Sequence, residues 1–123
     1  MLGKTIVTGL FAAALVCAAD SKLLKDADAK LKDKRFDEAI ALLDPAYKKT
    51  PNDAALAKEL ATAHLQYGDF YMYNQELPPR QKYPNALRQY RQVLTFDKTN
   101  KDAQTKIKQI EDIYKSMGRP IPQ

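Results

Sequence analysis

The residue types that most often perform chemistry are scarce in this chain of 123 residues. It contains one histidine, His64, and one cysteine, Cys17. A general base needs a second positioned group and a metal site needs several ligands at close spacing, and the sequence places neither around His64. The acidic pairs Asp37-Glu38 and Glu111-Asp112 fit solvated helix positions. We therefore expect no catalytic, cofactor-binding or metal-binding residue, and we interpret His64 as a structural histidine, either packed or partly exposed.

A different chemistry is suggested by residues 68–90, which hold four of the seven tyrosines and three of the seven prolines. Aromatic and arginine side chains together are typical of binding hot spots, because each offers a large contact area at modest entropic cost. The partner-binding candidates in and beside this segment are Tyr71, Tyr73, Arg80, Lys82, Arg88 and Arg91. The alternative is a local core, in which the tyrosines pack on one another and hold a long loop containing Pro78-Pro79.

Helices must position these side chains. Hydrophobic residues make up 45% of the chain, charged residues 28%, and there are only 4 Gly, a composition that favours a single all-α domain. Apolar residues recur at helical spacing from Leu23 to Ala46, with a break near Lys34-Arg35. Thr50-Pro51-Asn52-Asp53 ends the second helix and supplies side-chain oxygens that can cap a third.

The sequence also repeats itself. At an offset of 34 residues Ala27 corresponds to Ala61 and Phe36 to Phe70, whereas beyond Phe70 the match resumes only at an offset of 47, where Phe36 corresponds to Tyr83. A period in this range is typical of helical-hairpin arrays. The second copy therefore carries an insertion of thirteen residues, 71–83.

The insertion interrupts the second hairpin. Leu60, His64, Tyr67 and Tyr71 continue one helical face, which predicts that the helix before the insertion extends to about Tyr73. The chain would return as a loop, and Pro84 would then be the first residue of the next helix.

These residues resemble the tetratricopeptide repeat family. The first copy carries an aromatic residue, an acidic pair and Ala-Ile as Phe36-Asp37-Glu38-Ala39-Ile40, then Ala46 and the closing Pro51. The second copy departs from the pattern, with Ala86-Leu87 for Ala-Ile and Lys98 at the proline position. The resemblance covers residues 20–100 and implies an all-α array of two helical hairpins.

The predicted domain runs from residue 20 to residue 118. It comprises repeat 1 at 20–53, repeat 2 at 54–100 with the insertion at 71–83, and a capping helix at 101–117. Asn100 or Asp102 can start this helix, Lys106 would face water on it, and Gly118 ends it before a Pro-containing tail, 119–123.

The family resemblance implies a non-enzymatic protein-interaction scaffold, in which a peptide or helix of a partner protein lies in a concave groove. The matching groove positions are Leu24, Asp28, Leu31, Lys58, Thr62, Leu65 and Gln66. One branch of the family holds a C-terminal carboxylate, but the matching Leu24 and Asp28 cannot donate hydrogen bonds to one. An unoccupied, solvated groove is the alternative. A second copy of the chain is another candidate partner, since a homo-oligomer would cover an exposed end of the array, and no nucleic-acid partner is expected.

The N-terminal residues predict export. Residues 1–19 combine a lysine, an apolar run and closing small residues, the layout of a secretory signal, so we expect a periplasmic or envelope protein of a bacterium. Two outcomes stay open: cleavage after Ala18 or Ala19, or acylation of Cys17 and a membrane anchor, although Val16 fits a lipoprotein signal poorly. An envelope-tethered structural or assembly lipoprotein, or an accessory subunit of an enzyme, is therefore the alternative function.

Positive charge is concentrated in the second half of the chain. Residues 20–70 hold nine basic and ten acidic side chains. Residues 71–123 hold ten basic side chains but only five acidic ones. Such asymmetry can attract acidic partners or anionic surfaces, but we favour a solvated helix face as its explanation.

Overall fold

The computed structural model describes residues 21–123, and these form an all-helical array without strands. Its helices are α1 over 21–32, α2 over Phe36–Lys49, α3 over Ala54–Met72, α4 over Pro79–Phe96 and α5 over Lys101–Ser116. The predicted all-α class is thereby confirmed. The predicted signal at 1–19, including Cys17, lies outside the described residues.

A tight turn at 33–35 joins α1 to α2. The Arg35 N–H donates to the Lys30 carbonyl at 2.9 Å, and the Lys34 N–H donates to the Leu31 carbonyl at 3.0 Å. Lys34 has a φ of 60°, in the left-handed region that ends many helices. This turn satisfies the last carbonyls of α1 and reverses the chain into α2.

Side chains cap the N-termini of α3 and α5. Asp53 accepts hydrogen bonds from the backbone N–H groups of Ala55 at 2.9 Å and Leu56 at 3.1 Å. Asn100 accepts one from the Ala103 N–H at 2.9 Å. The predicted cap at the start of α3 is thus confirmed, and Asn100 rather than Asp102 begins α5.

The core lies along α3, which packs against both α2 and α4, while α4 packs against α5. Small residues at Ala27, Ala39, Ala61 and Ala86 are buried and let the helices approach closely. The largest side chains with almost no exposed surface are Tyr90, Leu43, Leu56, Leu60, Leu87, Ile110 and Val93. From α5, Ile110 and Tyr114 are buried in this core.

The insertion is mostly helical rather than a thirteen-residue loop. The helix α3 continues through Gly68 to Met72, close to the predicted end, and α4 already begins at Pro79. The prediction that Pro84 starts this helix was wrong, because Pro79 occupies the first turn and Pro84 lies inside. Only residues 73–78 lie between the two helices.

Two features at the end of the chain tie α5 and the tail to the array. Lys106 was expected to face water, yet its side chain is only 13% exposed, because it reaches a carboxylate of α3. After Gly118, which has a φ of 64°, Ile121 packs against the core and the Arg91 guanidinium donates to the Pro122 carbonyl at 2.8 Å. Among the helices of residues 21–123, none combines the length and apolar character needed to cross a bilayer.

Candidate functional site

The helices α1 and α3 and the start of α5 line one side of the array, and two open pockets lie there. The first, of about 480 Å³, is lined by Ser21, Leu24, Lys25, Asp28, Asp53, Ala55 and Glu59. The second, of about 380 Å³, is lined by Ala54, Ala57, Lys58, Ala61, Thr62, Leu65, Phe96, Asp97 and Asn100. Both pockets include residues of α3, and we refer to the two pockets together as the groove.

Three of the four α3 residues predicted for the groove come together in the second pocket. Lys58, Thr62 and Leu65 all line it, and the Thr62 hydroxyl donates to the Lys58 carbonyl at 3.0 Å. Gln66 is exposed but lies outside the lining, and Leu31 is buried in the core. The helical period explains this result, because residues 58, 62 and 65 are spaced to share one helix face.

The first pocket is rich in carboxylates. Burial raises the pKa of Glu59 above its usual range, the nearby charge of Asp28 raises it further, and Lys58 opposes the change. Asp28 itself forms an ion pair with Lys32 at 2.9 Å. The groove therefore offers carboxylates and Lys58 at its rim and apolar surface at Leu24, a combination that can contact a peptide but contains no activated nucleophile.

His64 is a packed residue of the core. It is 8% exposed, its Nδ1–H donates to Gln89 Oε1 at 2.8 Å, and its ring stacks on Phe96 with centroids 5.7 Å apart. These contacts link α3 to α4 and agree with the interpretation of His64 as structural.

The tyrosines of the α3 extension form a local aromatic cluster, which comprises Phe36, Tyr67, Phe70 and Tyr71. The ring centroids of Phe36 and Tyr67 are 5.1 Å apart, and those of Tyr67 and Tyr71 are 5.0 Å apart. The Tyr71 hydroxyl donates to the Tyr67 oxygen at 3.1 Å, and the Tyr67 hydroxyl donates to Asp37 at 3.3 Å. This packing supports the local-core alternative for Tyr71.

The other candidates of this segment lie outside the aromatic cluster. Tyr73 is 61% exposed, and the Nζ of Lys106 lies 5.7 Å from the centroid of its ring. Lys82 lies 5.9 Å from the ring centroid of its own neighbour, Tyr83. Arg80 and Arg88 are exposed on α4, whereas Arg91 holds the tail. No single aromatic–arginine surface unites these candidates within the described part of the chain.

A polar network that is not evident from the sequence joins three helices. Asp69 Oδ1 of α3 accepts hydrogen bonds from the Tyr90 hydroxyl of α4 at 2.7 Å and from Lys106 Nζ of α5 at 2.6 Å. Lys106 also donates to Asp102 at 3.3 Å. Only the Asp102–Lys106 spacing of four residues was visible in the sequence, since Asp69 lies 37 residues before Lys106.

No cluster of three or more His, Cys, Asp or Glu side chains in residues 21–123 could hold a metal ion. The helical hairpins define a helical-repeat array. Residues 30–70, from the second half of α1 to most of α3, match the sequence profile of the tetratricopeptide repeat. This match supports the tetratricopeptide-repeat resemblance of the first repeat. No curated protein and no solved structure shows a significant match to the chain.

Proposed function

We propose that this protein is a non-enzymatic interaction module that binds a peptide or helix of a partner protein in the groove. Tetratricopeptide repeats generally serve as scaffolds for protein–protein interaction. The observation that carries the proposal is the pair of open pockets, which share α3 and present Lys58, Thr62 and Leu65 on one surface. An extended peptide in both pockets would cross α3.

Site-specific photo-crosslinking in the native host tests this proposal. A benzophenone amino acid at Lys58, which is exposed and lines the groove, should give covalent protein adducts. The same group at Ala41, an exposed residue of α2 outside both pockets, is the matched control and should give none. Thr62→Gln should reduce the adducts formed from position 58, because the longer side chain fills the second pocket. Equal adducts from both positions, or none from Lys58, would contradict the proposal.

We further propose that the module acts outside the cytoplasm, in a periplasm or at a cell envelope. Support comes from the signal-like residues 1–19, and Cys17 keeps the lipid-tethered alternative in view. Cell fractionation of the wild type and of Cys17→Ser separates the two. Loss of the protein from the membrane fraction in the variant supports a lipid tether, whereas unchanged soluble export removes it. Retention of the wild type in the cytoplasm contradicts export.

A further inference from the structure

The helix α4 carries positive charge without any compensating negative charge of its own. Between Pro79 and Phe96 it contains four basic residues and no acidic residue. Arg80 and Arg88 are exposed, and within residues 21–123 neither forms an ion pair or a side-chain hydrogen bond. By contrast, Lys32, Arg35, Lys106 and Lys108 each have a carboxylate partner.

Three arginines of α4 lie on one side of the helix and form what we call the arginine stripe: Arg80, Arg88 and Arg91. At 1.5 Å per residue, the first two are about 12 Å apart along the axis and Arg91 lies about 4.5 Å further on. The buried residues Ala86, Tyr90 and Val93 lie on other sides of the helix, whereas buried Leu87 borders the stripe next to Arg80 and Arg91, so that Arg88 lies farthest from the core. Arg91 uses one N–H group on the Pro122 carbonyl and keeps others available.

We propose that the arginine stripe is a second binding surface, which takes an acidic segment of a partner protein. The proposal rests on the proposed function as an interaction module, but it concerns the outer side of α4 rather than the groove. Guanidinium groups match carboxylates through paired hydrogen bonds, so arginines without a partner of their own are suited to Asp or Glu side chains. A segment with several carboxylates over three turns of helix fits the length of the stripe.

An anionic membrane fits the same region less well. The exposed large hydrophobic side chains of residues 21–123 are Leu42, Phe70, Tyr73 and Met117, and none belongs to α4. Peripheral membrane helices combine basic residues with large apolar side chains that enter the lipid, and α4 exposes only the basic ones. An acidic protein segment needs only the charges.

The test measures fluorescence anisotropy of a dye-labelled, alanine-based helical peptide with Glu at every fourth position, added to the full chain at low ionic strength. A peptide with Gln in place of Glu serves as the ligand control. The variant R80Q/R88Q should weaken binding of the Glu peptide about five- to tenfold, the sum of two exposed charge contacts. The variant K98Q/K101Q removes two other exposed lysines that have no ion pair in the described chain and should bind within about twofold of the wild type.

Each contrary outcome has a defined meaning. Equal weakening in both double variants, or no binding of the Glu peptide by the wild type, overturns the proposal. Phosphatidylglycerol vesicles that bind the wild type and not R80Q/R88Q, while the peptide binds both alike, assign the stripe to lipid instead. If Thr62→Gln abolishes peptide binding and R80Q/R88Q does not, the groove takes the acidic segment. In that case the stripe proposal fails and the proposed function stands.

Discussion

The ring of Tyr90 lies directly against the backbone of Gly68. A Cβ atom at position 68 would lie 2.5 Å from Cε1 and 2.7 Å from Cδ1 of this ring, closer than carbon atoms approach in proteins. Gly68 is therefore not a turn residue but the point in α3 where the absence of a side chain lets α4 pack closely. Tyr90 is fully buried there, and its hydroxyl donates a hydrogen bond to Asp69, the residue that follows Gly68.

Gly68→Ala should lower the free energy of unfolding although alanine favours helix. The helix propensity gain is about 1 kcal/mol, whereas forcing a methyl group into a packed contact costs about 1–3 kcal/mol. Urea unfolding followed by circular dichroism measures the difference. In a Tyr90→Leu background the same change should become neutral or stabilising, because the ring is gone. An equal effect of Gly68→Ala in both backgrounds would show that the contact with Tyr90 is not its cause.

Asp69→Ala should destabilise the protein by about 2–3 kcal/mol, because it leaves the Tyr90 hydroxyl without its partner and leaves Lys106 with only the longer contact to Asp102, in a shielded site. Asp112→Ala is the matched control, since it removes another Asp–Lys pair, at 2.8 Å, in which the lysine side chain is 76% exposed. That variant should change the free energy of unfolding by less than about 1 kcal/mol. Similar losses in chemical denaturation of both variants would contradict the role assigned to Asp69.

Stability should fall in alkaline solution, above the ordinary tyrosine pKa of 10.0. Burial raises the pKa of Tyr90, assisted by its hydrogen bond to Asp69, and burial and the hydrogen bond with Tyr71 raise the pKa of Tyr67. A raised folded-state pKa means that the unfolded chain loses these protons first, so the stabilisation is complete below pH 10.0 and is lost as pH rises. Lys106 adds to this loss of stability above its ordinary pKa of 10.5. Burial lowers the pKa of Lys106, but the carboxylates of Asp69 and Asp102 outweigh burial and raise it.

Urea unfolding between about pH 8 and pH 11 measures this dependence. The Tyr67→Phe/Tyr90→Phe variant should show a shallower decline than the wild type, because neither ring can then release a proton. Absorbance titration of the folded wild type supplies the control. If all of its tyrosines ionise near pH 10.0, the predicted alkaline sensitivity has no basis.

The sequence predicted those features of the fold that depend on near neighbours. The Asp53 cap acts over two and three residues, and the helical period places Lys58, Thr62 and Leu65 on one face of α3. Local rules were insufficient at Pro84, because both Pro79 and Pro84 could begin a helix. The Pro78 carbonyl accepts hydrogen bonds from the next turn, and this fixes the earlier start.

Contacts between distant residues account for what the sequence could not predict. Glycine is common in turns, so the sequence around Gly68 suggests a turn. Its actual role, to leave room for the ring of Tyr90, depends on a residue of the next helix. Lys106 is charged and lies on an amphipathic helix, so a solvated position was the natural expectation. Its burial depends on a carboxylate 37 residues earlier in the chain. The arginines at 80, 88 and 91 all belong to α4, because this helix begins at Pro79, whereas the aromatic cluster belongs to α2 and α3.

The contact between Arg91 and the tail gives the final prediction. Arg91→Ala should lower the free energy of unfolding by about 1–2 kcal/mol, since it removes a charge-assisted hydrogen bond to the Pro122 carbonyl and loosens Ile121 from the core. Arg88→Ala changes the same residue type on the same helix, but Arg88 is exposed, so that variant should stay within about 0.5 kcal/mol of the wild type. Amide hydrogen exchange provides a second readout, because protection near Ile121 should fall in Arg91→Ala alone. Equal protection of the tail in both variants would show that its packing does not depend on Arg91.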